Sequence, residues 1–352
     1  MPARRSFRRN WREAAERLAA VVPLHRLHPE VLEWAEGRSR AARGPWCVAF
    51  SGGADSLALM LLVWAHWPLQ RSRLAALHFN HRLRGAESGG DARFCRSVCA
   101  GLGVNFFTDS WRRPDSDGLR ASEAGAREAR FQFFRKQQMR LGARALWLGH
   151  QKDDIAESMF MRLARGSGSA GLAAPRPVQT MGRLRTHVRP LLTLSKTEIE
   201  QALASISAPW REDSTNAKSE HFRNRVRKRV MPAWSEAAGG RDAMSGAALT
   251  RTLLQEDDDA LELWADRLKA RRGLTVDLRA LTGAPRAVVR RVLQRWRQAL
   301  ADRAGDLSRQ GFEALLLAVE KGLPTRMSMG RKGFAEIRDF RLSYREKVTK
   351  AH

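Results

Sequence analysis

The chain has 352 residues, of which 43% are hydrophobic and 28% are charged. This composition is typical of a globular protein with about two or three domains, and it excludes a largely disordered chain. The formal net charge is +26 and the isoelectric point is near 11.4, which favours a nucleic acid as partner over an anionic membrane.

The sequence also disfavours membrane insertion, export and a cysteine framework. No apolar run reaches the roughly 20 residues that span a bilayer, and the basic N-terminal segment lacks the apolar core of a signal peptide. Cys47, Cys95 and Cys99 offer no Cys-x-x-Cys spacing for a metal or an iron–sulfur site. We therefore expect a cytoplasmic protein with three buried thiols and no membrane partner.

A basic segment, residues 1–44, precedes the first predicted strand. Apolar positions from Trp11 to Leu32 predict one or two helices, with breaks at Pro23 and Pro29. The segment is either a helical arm that contacts RNA or a solvated basic helix, and the sequence leaves both possibilities open.

Short apolar runs then alternate with helical segments. The predicted strands are residues 46–50, 74–79, 105–108 and 145–149. This alternation predicts an α/β fold with a doubly wound parallel sheet. Ligands of such sheets bind beyond the carboxyl ends of the strands, which brings Ser51 and His150 to the same edge.

The first strand leads into a helix through the segment Ser51-Gly52-Gly53-Ala54-Asp55-Ser56. Its glycines let backbone N–H groups converge, and the N-terminus of a helix attracts anions. The Gly-Lys-Ser/Thr ending of a Walker A motif is missing. A carboxylate instead lies among the phosphate-binding groups, which predicts a bridging Mg²⁺. A tight turn with a side-chain helix cap is the simpler alternative.

The fourth strand leads into the acidic segment His150-Gln151-Lys152-Asp153-Asp154-Ile155-Ala156-Glu157. Carboxylates in the first turn of a helix can simply stabilise its N-terminus. Asp154 and Glu157 are three residues apart, however, and therefore share one face of the helix. Two carboxylates on one face can hold an ammonium group or Mg²⁺. We predict such a pocket, with His150 directed into it.

The following segments predict a loop and a strongly basic stretch. Residues 165–172 contain three glycines and predict a flexible loop that covers a nucleotide or admits a base. Residues 223–229 carry five cations in seven positions. A change in composition near residue 240 predicts a boundary between domains.

The C-terminal part of the chain predicts a small, mainly helical domain and a terminal hairpin. The four predicted domains are residues 1–44, 45–240, 241–324 and 325–352. Arginines on the helix at residues 285–301 form a basic face, which either contacts a phosphate backbone or is only solvated. They are Arg286, Arg290, Arg291 and Arg297.

Eight strings occur in a fixed order: SGGADS, HFNHRLRG, REARF, HQKDDIAES, LARGSGSAGL, RPLL, WREDSTN and FRNRVR. Through them, residues 46–230 resemble the tRNA(Ile)-lysidine synthetases, a family of PP-loop N-type ATP pyrophosphatases. The helical segment up to about residue 322 resembles the small tRNA-contacting domain of that family. The chain departs from the family pattern at Arg82, Phe131, Ser158 and Ala173-Ala174.

The resemblance implies a two-step reaction that uses ATP and Mg²⁺. The C2 oxygen of the wobble cytidine of an isoleucine tRNA with a CAU anticodon is adenylated, and pyrophosphate is lost. Free L-lysine then attacks C2 through its ε-amine and expels AMP. The target base has to leave the anticodon loop, as sequence-specific recognition of single-stranded RNA requires.

The resemblance also implies roles for particular residues. ATP phosphates bind to Ser51, Gly52, Gly53, Asp55 and Ser56, with Asp55 acting through the metal. The catalytic and lysine-binding groups are Asp55, Arg130, Asp154 and Glu157, with His150 beside them. Arg223, Asn224, Arg225 and Arg227 contact phosphates of tRNA or ATP.

Three other functions compete with this one. A tRNA thiolase from the PP-loop superfamily requires catalytic cysteines or a Cys-x-x-Cys, and neither pattern fits the three cysteines. A non-catalytic RNA-binding protein with this fold would have a damaged phosphate loop. The phosphate loop of this sequence, Ser51–Ser56, is intact. An amidotransferase-type synthetase requires a glutaminase segment with an N-terminal Cys nucleophile, and the sequence shows neither. The sequence leaves the oligomeric state open, with a homodimer as one option.

Overall fold

The computed structural model of the chain describes residues 10–37, 40–80, 86–110, 123–182, 185–212, 222–300, 307–330 and 333–347. The chain divides into two compact units, Met1–Thr252 and Leu253–His352. Among the described residues, no helix is both long enough and apolar enough to cross a membrane.

A six-stranded sheet lies at the centre of the first unit. Its strands are β1 (Trp46–Ala49), β2 (Leu74–Asn80), β3 (Asn105–Ser110), β4 (Ala145–Trp147), β5 (Val178–Met181) and β6 (Arg185–Val188). The spatial order is β3-β2-β1-β4-β6-β5, and every pairing is parallel except that of β5 with β6. The predicted parallel α/β sheet is therefore confirmed, and the sequence analysis missed two of its strands, the parallel β6 and the antiparallel edge strand β5.

Twelve α-helices are described that begin in this unit. They are α1 (Trp11–Val21), α2 (Pro29–Glu36), α3 (Arg40–Arg43), α4 (Ala54–His66), α5 (Ala86–Leu102), α6 (Glu123–Arg140), α7 (Lys152–Leu163), α8 (Ser169–Leu172), α9 (Lys196–Ser205), α10 (Phe222–Arg225), α11 (Met231–Ala237) and α12 (Ala243–Arg267). A π-helical turn, Val226–Val230, joins α10 to α11. The predicted loop at residues 165–172 thus ends in a helix, α8.

The main core forms around α4, which is buried from Leu57 to Trp64. A helix that is apolar on all sides is stable only when it is covered on all sides. Part of that cover comes from α1, whose Ala15 and Leu18 are fully buried. The described part of residues 1–44 therefore packs into the first unit and does not form a separate arm.

The second unit combines helices with an antiparallel sheet. Its further helices are α13 (Arg286–Ala299) and α14 (Arg309–Glu320), and its strands are β7 (Arg271–Arg272), β8 (Thr275–Asp277), β9 (Thr325–Ser328), β10 (Gly333–Arg338) and β11 (Arg341–Glu346). The sheet order is β7-β8-β11-β10-β9. The predicted terminal hairpin corresponds to β10 and β11, and it belongs to this larger sheet. The division between the units falls inside α12, not at the predicted boundary near residue 240.

Three of the four arginines on the basic face of α13 form ion pairs within the second unit. Arg286 and Arg290 bind Glu313 of α14, and Arg291 forms a buried pair with Asp258 of α12. These three arginines therefore have acidic partners in the protein. The sequence analysis had considered only contact with a phosphate backbone or exposure to solvent. The partners come from distant helices, so the pattern of α13 alone could not reveal them.

Candidate active site

The loop between β1 and α4 is organised by the hydroxyl group of Ser56. Its Oγ accepts hydrogen bonds from the backbone N–H groups of Ser51, at 3.2 Å, and Gly52, at 3.1 Å, and donates to the carbonyl of Gly53 at 3.0 Å. The Oγ atoms of Ser51 and Ser56 lie 3.0 Å apart. These bonds hold the loop in a fixed shape at the N-terminus of α4, where unpaired N–H groups favour an anion.

Gly52 is required by this shape in two ways. Its φ of +93° lies in the left-handed region that favours glycine. A Cβ atom at this position would also lie 3.1 Å from Sγ of Cys95 and 3.3 Å from the ring of Phe94. The Gly-Gly pair thus serves both the backbone conformation and the close packing against α5.

Asp55 supplies a buried carboxylate oxygen in the first turn of α4. Its Oδ1 has no hydrogen-bond partner among the described residues. Burial, with a further contribution from the negative charge of Asp154, raises the pKa of Asp55 to about 7. A buried carboxylate oxygen without a protein partner favours a bound cation.

A pocket of about 370 Å³ opens beside the loop. One side is polar, with Ser51, Asp55 and Ser56, and another is formed by the rings of Phe79, Phe131 and Phe134. The remaining polar lining comes from Arg130 of α6 and from His150, which follows β4. Because β1 and β4 are neighbours at the point where the strand order reverses, the pocket lies where ligands of such sheets bind.

Asp154 and Glu157 are buried on the first turns of α7, with exposed fractions of 7% and 1%. Their oxygens are bonded within the protein. Asp154 accepts from the backbone N–H of Gln151 at 3.0 Å, which caps α7, and its other oxygen binds Arg223. Glu157 accepts from Nε of Arg223 at 2.8 Å and from Nε of Arg227 at 2.5 Å. The two acids and two arginines form one ion cluster.

This cluster changes the predicted roles of its members. The sequence analysis assigned the acids to a ligand and the arginines to phosphates, whereas the structure pairs the two sets with each other. Burial raises the pKa of Asp154, while Arg223 acts in the opposite direction. Asn224 lies between the two arginines in sequence, on α10. Arg225 is exposed and stacks over the ring of Phe222, 5.7 Å away.

His150 is held by an arginine that the sequence analysis did not single out. Nε of Arg189 donates to Nδ1 of His150 over 3.1 Å. Arg189 follows β6 directly, and β6 pairs with β4, which precedes His150. The only sign of Arg189 in the sequence is its place in the string RPLL, which carries no chemistry of its own.

The glycine-containing segment at residues 165–172 is ordered by Arg162. Nη1 of Arg162 donates to the carbonyl of Gly171, and the backbone N–H of Ser167 donates to the carbonyl of Arg162 at 3.1 Å. The N–H of Leu172 donates to the carbonyl of Gly168 at 3.0 Å, which closes the turn of α8. The segment thus has a defined shape near the end of α7.

Parts of two strings lie outside the described residues. These are residues 81–85, which include Arg82, and residues 213–221. Of the neighbouring residues that are described, Arg211 binds Asp91 through Nε at 2.7 Å, and its backbone N–H donates to the carbonyl of Gly52 at 2.9 Å. Arg211 thus packs against the loop at Ser51–Ser56.

All three cysteines are buried. Burial raises the pKa of Cys47 and of Cys99 to about 12 and raises that of Cys95 as well. Cys47 lies inside β1, and the other two face the main core from α5. Thiols in such surroundings are poor nucleophiles at neutral pH, since the thiolate is the reactive form.

Residues 20–234 match a family of proteins described as the PP-loop domain. The chain belongs to the PP-loop family. The matched range includes the loop at Ser51–Ser56, the acidic helix α7 and both arginines of the ion cluster. The second unit lies beyond it.

Curated relatives of this PP-loop chain are named tRNA(Ile)-lysidine synthase. The protein of Geobacter sulfurreducens is 35% identical over 281 residues, which are 76% of this chain and 56% of that protein. That of Solibacter usitatus is 42% identical over 185 residues, 53% of this chain and 40% of that protein. That of Symbiobacterium thermophilum is 34% identical over 287 residues, 78% and 58% respectively. The chain thus spans about half the length of these relatives.

A solved PP-loop structure shares the fold. It is the U34-tRNA thiolase NcsA from Methanococcus maripaludis with its [4Fe-4S] cluster, with a TM-score of 0.51 and 15% sequence identity. The alignment covers 70% of this chain and 79% of that chain. At this identity the likeness concerns the fold alone.

Proposed function

We propose that this PP-loop protein ligates free L-lysine to C2 of the wobble cytidine of an isoleucine tRNA with a CAU anticodon, at the expense of ATP. The proposal rests on two groups of residues that follow β1 and β4, the neighbouring strands between which the strand order of the sheet reverses. The phosphate loop with its buried Asp55 carboxylate lies next to the acidic helix that holds Asp154 and Glu157. Similarity to several tRNA(Ile)-lysidine synthases supports the same reaction.

ATP would bind with its phosphates at the loop. The N–H groups at the N-terminus of α4 would donate to the phosphates, with Ser51 and Gly53 beside them in the pocket lining. Gly52 and Ser56 would hold the loop in the shape that presents these donors, through the bond from the Gly52 N–H to Oγ of Ser56. Within the described lining of the pocket, Asp55 carries the one carboxylate. That donor set fits Mg²⁺, which commonly binds through one or two carboxylates together with substrate phosphates. When bound, the metal would neutralise charge on the triphosphate.

The first step joins the cytidine to AMP. The C2 oxygen of the base attacks the α-phosphorus of ATP, and the bond between that phosphorus and the bridging oxygen of pyrophosphate breaks. Arg130 lines the pocket and would bind phosphate oxygens or the carboxylate of lysine. The aromatic side of the pocket suits a base that has left the anticodon loop.

The second step transfers lysine. The ε-nitrogen attacks C2 after its ammonium form transfers a proton to solvent, the bond from C2 to the adenylated oxygen breaks, and AMP leaves with that oxygen. Asp154 and Glu157 would attract the lysine ammonium. Because both acids bind Arg223 and Arg227 in the structure, lysine would have to compete with guanidinium groups for the carboxylates. Arginines released in this way could contact phosphates of tRNA or ATP.

A tRNA thiolase is the second candidate, and the shared fold with a U34-tRNA thiolase is the observation in its favour. Sulfur transfer by cysteine requires an accessible thiol of lowered pKa. The three thiols of this chain are buried, and their pKa values are raised. We therefore favour lysine ligation. A cytoplasmic location fits this function, and that location and a homodimer both stay predictions.

The test supplies the purified chain with ATP, Mg²⁺, radiolabelled lysine and isoleucine tRNA with a CAU anticodon. We expect label in the tRNA together with AMP and pyrophosphate, and no label in a methionine tRNA of the same anticodon. Asp55→Ala should abolish pyrophosphate release and Glu157→Ala should abolish lysine transfer. Asp109→Ala, at the exposed end of β3, is the matched control and should retain both.

If the unmodified chain incorporates no lysine but transfers sulfur in the presence of a sulfide donor, the protein is a tRNA thiolase and this proposal is wrong. Full activity of the Asp55→Ala protein would contradict the assignment of the phosphate loop. A Glu157→Ala protein with unchanged affinity for lysine would contradict the amine pocket.

A further inference from the structure

The guanidinium group of Arg189 is committed entirely to the protein. The residue is 6% exposed, and each of its three nitrogens donates a hydrogen bond. Nε binds Nδ1 of His150 at 3.1 Å, Nη1 binds the carbonyl of Arg176 at 2.7 Å, and Nη2 binds Oε1 of Gln179 at 3.3 Å. An arginine bonded in this way orients its partners and has little capacity left to bind a substrate.

The bond to His150 determines where the imidazole carries its proton. A guanidinium N–H can only donate, so Nδ1 of His150 must be the acceptor and must be unprotonated. Neutral imidazole then carries its hydrogen on Nε2. In a protonated imidazole, the N–H at Nδ1 would face the N–H at Nε of Arg189 across the same 3.1 Å contact, and neither could accept a hydrogen bond.

The surroundings also keep His150 neutral. Burial is the largest cause that lowers the pKa of His150, and the value lies well below the usual one. Four arginines act in the same direction: Arg189 after β6, Arg223 on α10, and Arg127 and Arg130 on α6. The imidazolium form is therefore disfavoured across the neutral range of pH.

The backbone around both residues is closely fixed. The N–H of Leu148 donates to the carbonyl of Val188 at 2.9 Å, which extends the pairing of β4 with β6 up to His150 and Arg189. On the other side, Gly149 lies so near the phosphate loop that a Cβ atom would come within 3.0 Å of the carbonyl of Asp55. His150 is thus held between the loop and Arg189.

We propose that Arg189 is a positioning residue that fixes His150 as a neutral donor, with Nε2–H available to an oxygen atom of the bound substrate. The ring lines the pocket beside Ser51 and Asp55, and Nε2 is the nitrogen that Arg189 leaves unused. The acceptor is a phosphate oxygen of the nucleotide or a carbonyl oxygen of the base. In this arrangement His150 cannot act as a general base, because the lone pair of the neutral ring is on Nδ1. The identity of the substrate rests on the proposed function.

The first experiment measures the tautomer without any substrate. Full-length protein labelled with ¹⁵N in its histidines is studied by NMR between pH 6 and 8, and His150→Gln assigns the resonances. For His150 we expect an unprotonated Nδ1, a protonated Nε2 and no titration of the ring between pH 6 and 8. A protonated Nδ1 or a titrating ring in the unmodified protein would overturn the proposal. Arg189→Met should give a mixture of tautomers, whereas His66, whose Nε2 bonds the carbonyl of Val22 at 3.0 Å, should be unchanged as an internal reference.

The second experiment separates a donor from a base. Glutamine can place an amide N–H near the position of Nε2, so His150→Gln should lose less than about tenfold in kcat/KM, whereas His150→Leu should lose about 10- to 100-fold. Equal losses in both variants would overturn the donor role. A loss expressed in KM for ATP would identify the phosphate as the acceptor, and a loss in KM for tRNA would identify the base.

Arg189 itself is tested by the conservative variant. Arg189→Lys keeps a donor and should retain more activity than Arg189→Met, with a pH profile that stays flat in the histidine range. Arg189→Met should acquire a pH dependence there. Arg185→Met, at the start of β6, is the control that should change neither property. Activity and pH profile of Arg189→Met equal to those of the unmodified protein would overturn the positioning role. If the unmodified chain transfers no lysine, the proposed function fails, while the NMR result still decides the tautomer.

Discussion

Replacing Asp55 by asparagine should stabilise the protein in the absence of ligands while it abolishes activity. Burial and the charge of Asp154 raise the pKa of Asp55 from 3.8 to about 7. A shift of roughly three units corresponds to about 4 kcal/mol of cost for the charged form. Asp55→Asn should therefore raise the free energy of unfolding by about 4 kcal/mol at pH 8.

The sign of this effect depends on pH. The folded-state pKa lies above the unfolded-state value, so unfolding releases a proton between the two values. Near pH 4 and below, Asp55 is largely protonated in both states and contributes little. As the pH rises from about 4 to about 7, the unfolded state ionises first and the native protein loses stability. The difference between Asp55→Asn and the unmodified protein should thus grow over this range and be constant above it.

Urea denaturation at pH 4, 6 and 8 measures the difference, with Asp109→Asn at the exposed end of β3 as control. Addition of Mg²⁺ and ATP should stabilise the unmodified protein more than the Asp55→Asn protein, because ligands that bind the native state stabilise it by mass action. If Asp55→Asn lowered stability at pH 8, or changed it equally at every pH, the carboxylate would have a partner in the protein. The argument for a cation at this position would then fail.

Three further predictions concern packing and hydrogen bonds. Gly52→Ala should destabilise the first unit by about 1–3 kcal/mol and weaken ATP binding, since a side chain is strained at φ +93°; urea denaturation and nucleotide titration measure both. Ser56→Ala should cost about 1–2 kcal/mol and raise KM for ATP, because two backbone N–H groups lose their acceptor. Asp258→Asn should cost about 1–3 kcal/mol in thermal or urea unfolding of the second unit, because the buried Arg291 loses its buried counter-ion and keeps the more exposed Glu262 at 3.3 Å.

Each of these changes has a control in the chain. Gly246→Ala lies within α12 with nothing within 4 Å of the added Cβ, and it should be neutral or stabilising. Ser97→Ala removes an exposed hydroxyl bond to Phe94 and should leave KM for ATP unchanged. Asp339→Asn removes an ion pair that is largely exposed on both sides and should cost little. Equal effects in a variant and its control would contradict the corresponding prediction.

The parts of the fold that follow local patterns were predicted from the sequence. β1 begins at Trp46 and β4 at Ala145, as predicted, and the helix after the glycine loop is buried on all sides. The rule that ligands bind beyond the strand ends placed Ser51 and His150 in one pocket, and the structure agrees. Strands β5, β6, β7 and β8 were missed because they are short and largely polar, unlike the apolar runs of β1 and β4.

The contacts within the site could not be predicted, because they join distant parts of the chain. Arg227 binds Glu157 across 70 residues, and Arg189 binds His150 across 39. A basic run such as residues 223–229 looks the same in sequence whether it faces solvent, RNA or buried carboxylates. Only the fold decides among these, since it sets which charges become neighbours.

Charge balance explains why the ion cluster and the phosphate loop belong together. Two buried carboxylates would destabilise the folded protein if no cations were near them, and Arg223 and Arg227 supply two positive charges. A lysine ammonium brings a third cation and the triphosphate brings several anions, so neither ligand alone leaves the site balanced. Together they would allow the carboxylates to exchange guanidinium groups for ammonium while the arginines move to phosphate. On this reasoning, lysine and ATP should each bind more tightly when the other is present.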